Sequence, residues 1–153
     1  MKNNIHFANI SDVSTLIETK EISPVELTEH LLNRIESIDR KLKSYVTIFA
    51  DRAIDRAKQA EKEILVGDYR GKLHGIPLSV KDLCYTKGIR TMGGLKVRKD
   101  FIPSFDATVI KRLSLAGAIL LGKNALTEGA LSGYNPEFEI PVNPWGEKLW
   151  AGV

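Results

Sequence analysis

The 153-residue sequence holds a single cysteine, Cys84. No disulfide can therefore form within the chain, and a reducing, cytoplasmic setting is the expectation. No apolar run approaches the roughly 20 residues that a membrane-spanning helix needs. The opening stretch MKNNIHFANI lacks the apolar core and small-residue cleavage site of a secretory leader. The 22 basic and 19 acidic residues are interspersed, leaving a net charge of +3 with no block of like charges. A nucleic-acid arm and a polybasic membrane patch are both excluded on that pattern, so neither nucleic acid nor membrane is an expected partner. His6, His30 and His74 stand far apart in sequence, and none has ligand spacing to another histidine or to Cys84, so no metal is expected. Gly122-Lys123 follows a strand candidate, but the two glycines flanking four residues before Lys-Ser/Thr that cradle a phosphate are absent. Internal repeats and low-complexity tracts are missing as well.

What remains is an ordinary globular composition, 43% hydrophobic and 27% charged. The first third reads as helix. Val13, Leu16 and Ile17 share one face of a short segment opening near Ser11 or Asp12. Ser23, Pro24 and Glu26 form a capping box ahead of a second helix, whose Leu27, Leu31, Leu32, Ile35 and Ile38 keep a 3.6-residue period. A third helix runs from about Ala50 to Leu65 through Ala53, Ile54, Ala57, Ile64 and Leu65, with Gly67 as its stop. YVTIF between the last two is a brief extended piece. The second half changes character. Residues 76–81 are a strand candidate with Pro77 at its beginning, and residues 84–105 read as loop with a short hairpin. Asp106 is the expected cap of a helix through Val109, Ile110 and Leu113 that ends at Gly117. AILLG then forms a buried strand, and a short helix follows around residues 127–131. Strand, helix and strand in that order favour a parallel β-α-β unit, hence an α/β fold. From Ser132 onward the chain reads as loop, carrying Trp145 and Trp150, each of which wants a large burial surface.

The residues that could carry chemistry are few. In an extended segment side chains alternate, so Ser79 and Lys81 face one way while Val80 and Asp82 face the other. A lysine at the carboxyl end of a strand in an α/β sheet sits where such folds place ligands. As a base it must be neutral near pH 7, against a free pKa of about 10.4, and burial lowers a lysine by up to about 3–5 units. On residue type alone the competing reading, an ammonium snorkelling to water from the strand end, is the stronger one. Ser79 lies about 6.6 Å along the strand from Lys81, with no visible third group to orient the two. Cys84 reads as a small hydrophobe in preference to a nucleophile.

Four blocks change the weighing. GKLHGIPLSVKDLCYTKGIRTMGG, DATVIKRLSLAGAILLGKNALTE and NPWGEKLWAG, in that order, resemble the amidase signature family. EISPVELTEHLLNRIESIDRKLKSYVTIF resembles its amino-terminal helices, so the likeness runs from about Ile10 to the last residue. The resemblance implies an α/β/α layered fold with a mixed sheet flanked by helices. Residues 1–153 would form the N-terminal part of a single amidase domain, a helical segment at about 10–66 and an α/β segment at about 72–153. It further implies hydrolysis of linear carboxylic amides through a Ser–cis-Ser–Lys triad, with no cofactor. Lys81 matches the family's catalytic lysine, the base that acts through the middle serine on the nucleophilic one. The expected substrate is a small-molecule amide.

One departure accompanies the resemblance. The family's Gly/Ser-rich signature would begin directly after WAG, so both serines and the oxyanion donors fall outside the 153 residues. No serine present matches either role, and the chain alone is expected to lack amidase activity. Two alternatives stand beside this reading. One is a portion of the catalytic subunit of a tRNA-dependent amidotransferase, which usually carries DEFAMGS where this sequence has TEGALSG. The other is a non-catalytic truncated gene product.

Overall fold

A computed structural model describes residues 2–131 and 133–151. Ser132, where the terminal loop was expected to begin, lies outside the described residues, as do Gly152 and Val153. After a 3-10 turn at Lys2–Phe7, the elements are α1 (Ile10–Glu18), α2 (Pro24–Leu42), β1 (Tyr45–Ile48), α3 (Ala50–Leu65), β2 (Pro77–Lys81), α4 (Thr108–Leu115) and β3 (Ile119–Asn124). They form two compact units. The first is Met1–Arg34, Phe49–Leu78 and Arg112–Leu121, and the second is Ile35–Ile48, Ser79–Lys111 and Gly122–Val153.

The expected capping box forms at the head of α2. Glu26 N–H donates to Ser23 Oγ at 3.0 Å, and Ser23 N–H donates to Glu26 Oε2 at 3.1 Å, so two amides that the helix cannot satisfy internally are paired reciprocally. Ser23→Ala removes one of these acceptors and is expected to cost about 1 kcal/mol of unfolding free energy, read from the midpoint of a urea transition. The core of the first unit joins Ile5, Val13, Ile17, Ile22, Leu27, Ile64 and Ile76. On α3 the buried stripe is Ala53, Ala57, Ala60 and Ile64. Leu65, expected on that stripe, is exposed because it falls one residue past the face. Gly67 ends the helix with φ at +90°.

A polar knot sits in the same unit. His74 is fully buried. Its Nδ1 accepts the Arg70 N–H at 3.1 Å, which leaves Nε2 to carry the ring proton and donate it to Glu63 Oε2 at 3.0 Å. The Arg70 guanidinium completes the knot by reaching the same oxygen at 2.8 Å. Gly117, at φ +82°, packs on this ring. A Cβ there would lie 2.3 Å from His74 Cδ2 and 3.1 Å from His74 Cα, so the obstruction includes backbone that cannot swing away. Gly117→Ala is therefore expected to destabilise by about 1–3 kcal/mol through overpacking, visible as a lower urea midpoint with an unchanged slope.

The sheet has the order β1-β3-β2. β1 runs antiparallel to β3, pairing Tyr45 with Asn124, Thr47 with Lys123 and Ile48 with Gly122, and an irregularity between Tyr45 and Thr47 shifts the register. That bulge presses on β3. A Cβ on Gly122 would meet Thr47 O at 2.5 Å and the Tyr45 ring at 2.8 Å, which is why a glycine interrupts this strand. β2 and β3 run the same way. Ile119 N–H donates to Ile76 O where they begin, and Asp82 N–H donates to Asn124 O where they finish. With α4 between them, the expected parallel β-α-β unit is present in a mixed sheet, an α/β fold. Pro77, which lacks an amide proton, opens β2 at the end of the strand order.

Two local expectations change. Asp106 lies two residues ahead of α4, and its carboxylate accepts the Lys87 N–H at 2.6 Å, tying down the loop after β2. The short helix expected around residues 127–131 is a single 3-10 turn, Glu128–Ala130, in which Gly129 has positive φ. Trp145 is 89% exposed and Trp150 is 58% exposed, so neither ring folds back into an interior of this chain. Among the described residues, no helix is long and apolar enough to cross a membrane.

Candidate active site

β2 delivers its side chains to opposite faces, as alternation requires. Val80 and Asp82 are buried, while Ser79 and Lys81 are half-buried on the other side. Lys81 is the last residue of β2, at the carboxyl end of the parallel pair. Its carbonyl accepts the Cys84 N–H at 3.0 Å, which turns the chain sharply after the strand. Among the described residues, Lys81 Nζ has no hydrogen-bond or ion-pair partner. No hydrogen bond joins it to Ser79 there, in keeping with the distance along the strand. Cys84 is half-buried, and its part in the site is played by its backbone.

The fully buried lysine of this region is a different one. Lys123, on β3, has no exposed side-chain surface, and neither to any extent does the Asp82 beside it, at 1%. An ammonium carries three protons to place. Here one goes to Cys84 O at 2.8 Å, one to Thr91 Oγ1 at 2.8 Å, and the third faces Asp82 Oδ1 at 3.3 Å. The last contact is an ion pair in distance, although Oδ1 has no partner in hydrogen-bond alignment. Asp82 Oδ2 accepts the Met92 N–H at 2.9 Å, and Asp82 O accepts the Gly93 N–H at 3.0 Å. Burial pushes the Lys123 pKa below its ordinary value, and the Asp82 carboxylate opposes that shift.

This pair stitches the loop after β2 to the sheet. The strand end at Asp82, the turn at Cys84 and the return of the loop through Thr91, Met92 and Gly93 all converge on it. Farther along, Arg90 extends to β1, donating to Val46 O at 3.1 Å. Gly93 O accepts the Gly129 N–H at 2.8 Å, so the 3-10 turn at Glu128–Ala130 is fastened to the same loop. Reading the sequence for chemistry passed over Lys123, because the test applied to Gly122-Lys123 was phosphate binding. The signal was present in the pattern: Ile119, Leu121 and Lys123 occupy one side of an apolar strand, so the lysine had to follow the two hydrophobes inward.

The histidines also meet in a way their spacing concealed. The fold brings His6 Nδ1 to 3.1 Å from His30 Nε2, so these two are neighbours and not far apart. Burial, followed by the Arg34 and His30 charges, lowers the His6 pKa. A hydrogen bond between two ring nitrogens needs their lone pair and proton aimed at each other, which is not the convergence on a third point that a metal requires. Among the described residues, no group of three or more His, Cys, Asp or Glu side chains is placed to hold a metal ion.

Comparison with known proteins bears on this geometry directly. The family model for Amidase matches residues 26–153. The relatives include "Putative amidase AmiD" of Mycobacterium tuberculosis, 46% identical over 144 residues, which are 94% of this chain and 30% of that protein. Another is the A-type subunit of the glutamyl-tRNA(Gln) amidotransferase of Trichodesmium erythraeum, 40% identical over 140 residues, 90% of this chain and 29% of that one. Among solved structures, the native peptide amidase from Stenotrophomonas maltophilia aligns with a TM-score of 0.76 at 32% identity, covering 82% of this chain and 26% of its own. The chain thus spans about 30% of the length of the curated relatives it matches. The matched residues run unbroken through β2, the loop pinned by Lys123, α4 and β3, and on that footing the chain belongs to the amidase signature family.

Proposed function

We propose that this chain carries the general base of an amide-hydrolysing site. Lys81 is that base, in a Ser–cis-Ser–Lys arrangement whose serines and oxyanion donors come from sequence outside residues 1–153. The observation that carries the reading is the placement of Lys81. It ends β2 on the side opposite the buried Asp82, with its amine uncommitted to any partner among the described residues, inside a family match that covers the whole unit. A base must offer its lone pair to an incoming hydroxyl, and an amine already saturated by hydrogen bonds, as that of Lys123 is, could not do so. The substrate is a small linear carboxylic amide, the setting is a reducing cytoplasm, and the residues present need no cofactor for this role.

The test is a chimera in which residues 1–153 replace the matching stretch of the Mycobacterium relative. It should hydrolyse an aryl amide and lose that turnover on Lys81→Ala, whereas the 153-residue chain alone should show none. Turnover that survives Lys81→Ala would dispose of the reading. A second reading has its own support in the amidotransferase relative, at 40% identity. It predicts that the same chimera releases ammonia from glutamine in preference to aryl amides.

A further inference from the structure

Lys81 occupies the last position of β2, which among the described residues has one hydrogen-bonded neighbour, β3, in the order β1-β3-β2. A change of twist at a strand end carries successive side chains round together. What prevents it here is the residue next along the chain. Asp82 is fixed at four places: its N–H on Asn124 O, its carbonyl under the Gly93 N–H, one carboxylate oxygen under the Met92 N–H, and the other against Lys123. Because side chains alternate, fixing Asp82 into the interior fixes the direction of Lys81 on the opposite face. Lys123 also grips Cys84 O, one hydrogen bond away from the carbonyl of Lys81 itself.

We infer that the Asp82–Lys123 pair is a positioning device for Lys81, aiming its amine and holding it there. This rests on the role given to Lys81 above. The Lys123 ammonium stands 3.3 Å from Asp82 Oδ1, so the anchor carries no unpaired charge into the interior. The arrangement therefore gives the strand end a rigid anchor without leaving a net charge beneath the base. A simple hydrophobic plug would supply neither the four-point fixing of Asp82 nor the grip on the Cys84 turn.

The experiment uses the full 153-residue chain and separates anchoring from stability. Lys123→Met alone leaves a buried carboxylate without its counter-charge and is expected to unfold readily. Lys123→Met combined with Asp82→Asn removes both charges and is expected to regain most of the lost unfolding midpoint. In that folded double variant, hydrogen exchange at the Asp82, Cys84 and Gly93 amides should run tenfold or more faster than in the parent. Exchange in α3 should stay within threefold, and the Lys81 side-chain resonances should move toward those of a free lysine. Parent-like exchange at the three amides with unmoved Lys81 resonances would overturn the inference. So would a double variant as unstable as the single one, since the pair would then serve stability alone. If Lys81→Ala leaves the chimera active while the double variant loosens Lys81, the amidase role of Lys81 fails and the anchoring stands.

Discussion

Lys123→Met is expected to lower the unfolding free energy by about 3–5 kcal/mol, the usual cost of removing one member of a buried ion pair. That cost does not measure an attraction between Lys123 and Asp82. It arises because Asp82, 1% exposed, loses its counter-charge in a place where water cannot reach it, while Thr91 Oγ1 and Cys84 O lose their donor. Asp82→Asn is the milder change, since an amide still offers an oxygen to the Met92 N–H. The pH dependence follows from the direction of the Lys123 shift. Burial lowers its folded-state pKa below 10.5, and Asp82 works against the drop. Between the folded value and 10.5 the unfolded chain binds more protons, so stability rises with pH across that window. The rise should vanish in Lys123→Met. In Asp82→Asn it should begin at lower pH, because the opposing carboxylate charge is gone. Urea unfolding of the three proteins across the alkaline range measures all of this.

Much of the fold was legible because its signals are local. The α2 capping box is a three-residue pattern read directly as two hydrogen bonds, and α3 keeps its period from Ala50 to Leu65 because alanines at 53, 57 and 60 allow close packing. Pro77 could open a strand but not sit within one, which fixed the start of β2. What the sequence concealed is long-range. Asp106 looked like a cap because an acidic residue precedes a helix, yet Lys87, nineteen residues earlier, captures its carboxylate. His6 and His30 become neighbours only when the amino-terminal turn folds beside α2. The candidate base was readable as a residue at a strand end, and its family role came from resemblance. The partner beneath it was not readable, because the contact between Asp82 and Lys123 spans two strands separated by a loop and a helix. A strand-face count on β3 would have put Lys123 inside, but nothing local names Asp82 as its counter-charge.

Lys81→Ala in the chimera should reduce amide turnover about a thousandfold or more, the scale on which a member of a cooperating catalytic set is lost. The loss should fall on kcat with KM nearly unchanged. A general base acts on a proton that moves only in the transition state, so its removal leaves ground-state binding of the amide alone. Lys81→Arg sharpens the test. It preserves length and positive charge, so any role as a counter-ion for substrate or a surface cation would survive. A guanidinium with a pKa above about 12 cannot release its proton at neutral pH, so a role as base would not survive. Equal inactivity of the alanine and arginine variants, with both chains folded, therefore assigns proton transfer to the residue. Substantial activity in Lys81→Arg would leave only a charge at that position and would remove the mechanism. Lys123→Arg is the control that keeps the two lysines distinct. Its amine is consumed by Cys84, Thr91 and Asp82, so its replacement should act through the geometry of β2 and leave a reduced but measurable kcat.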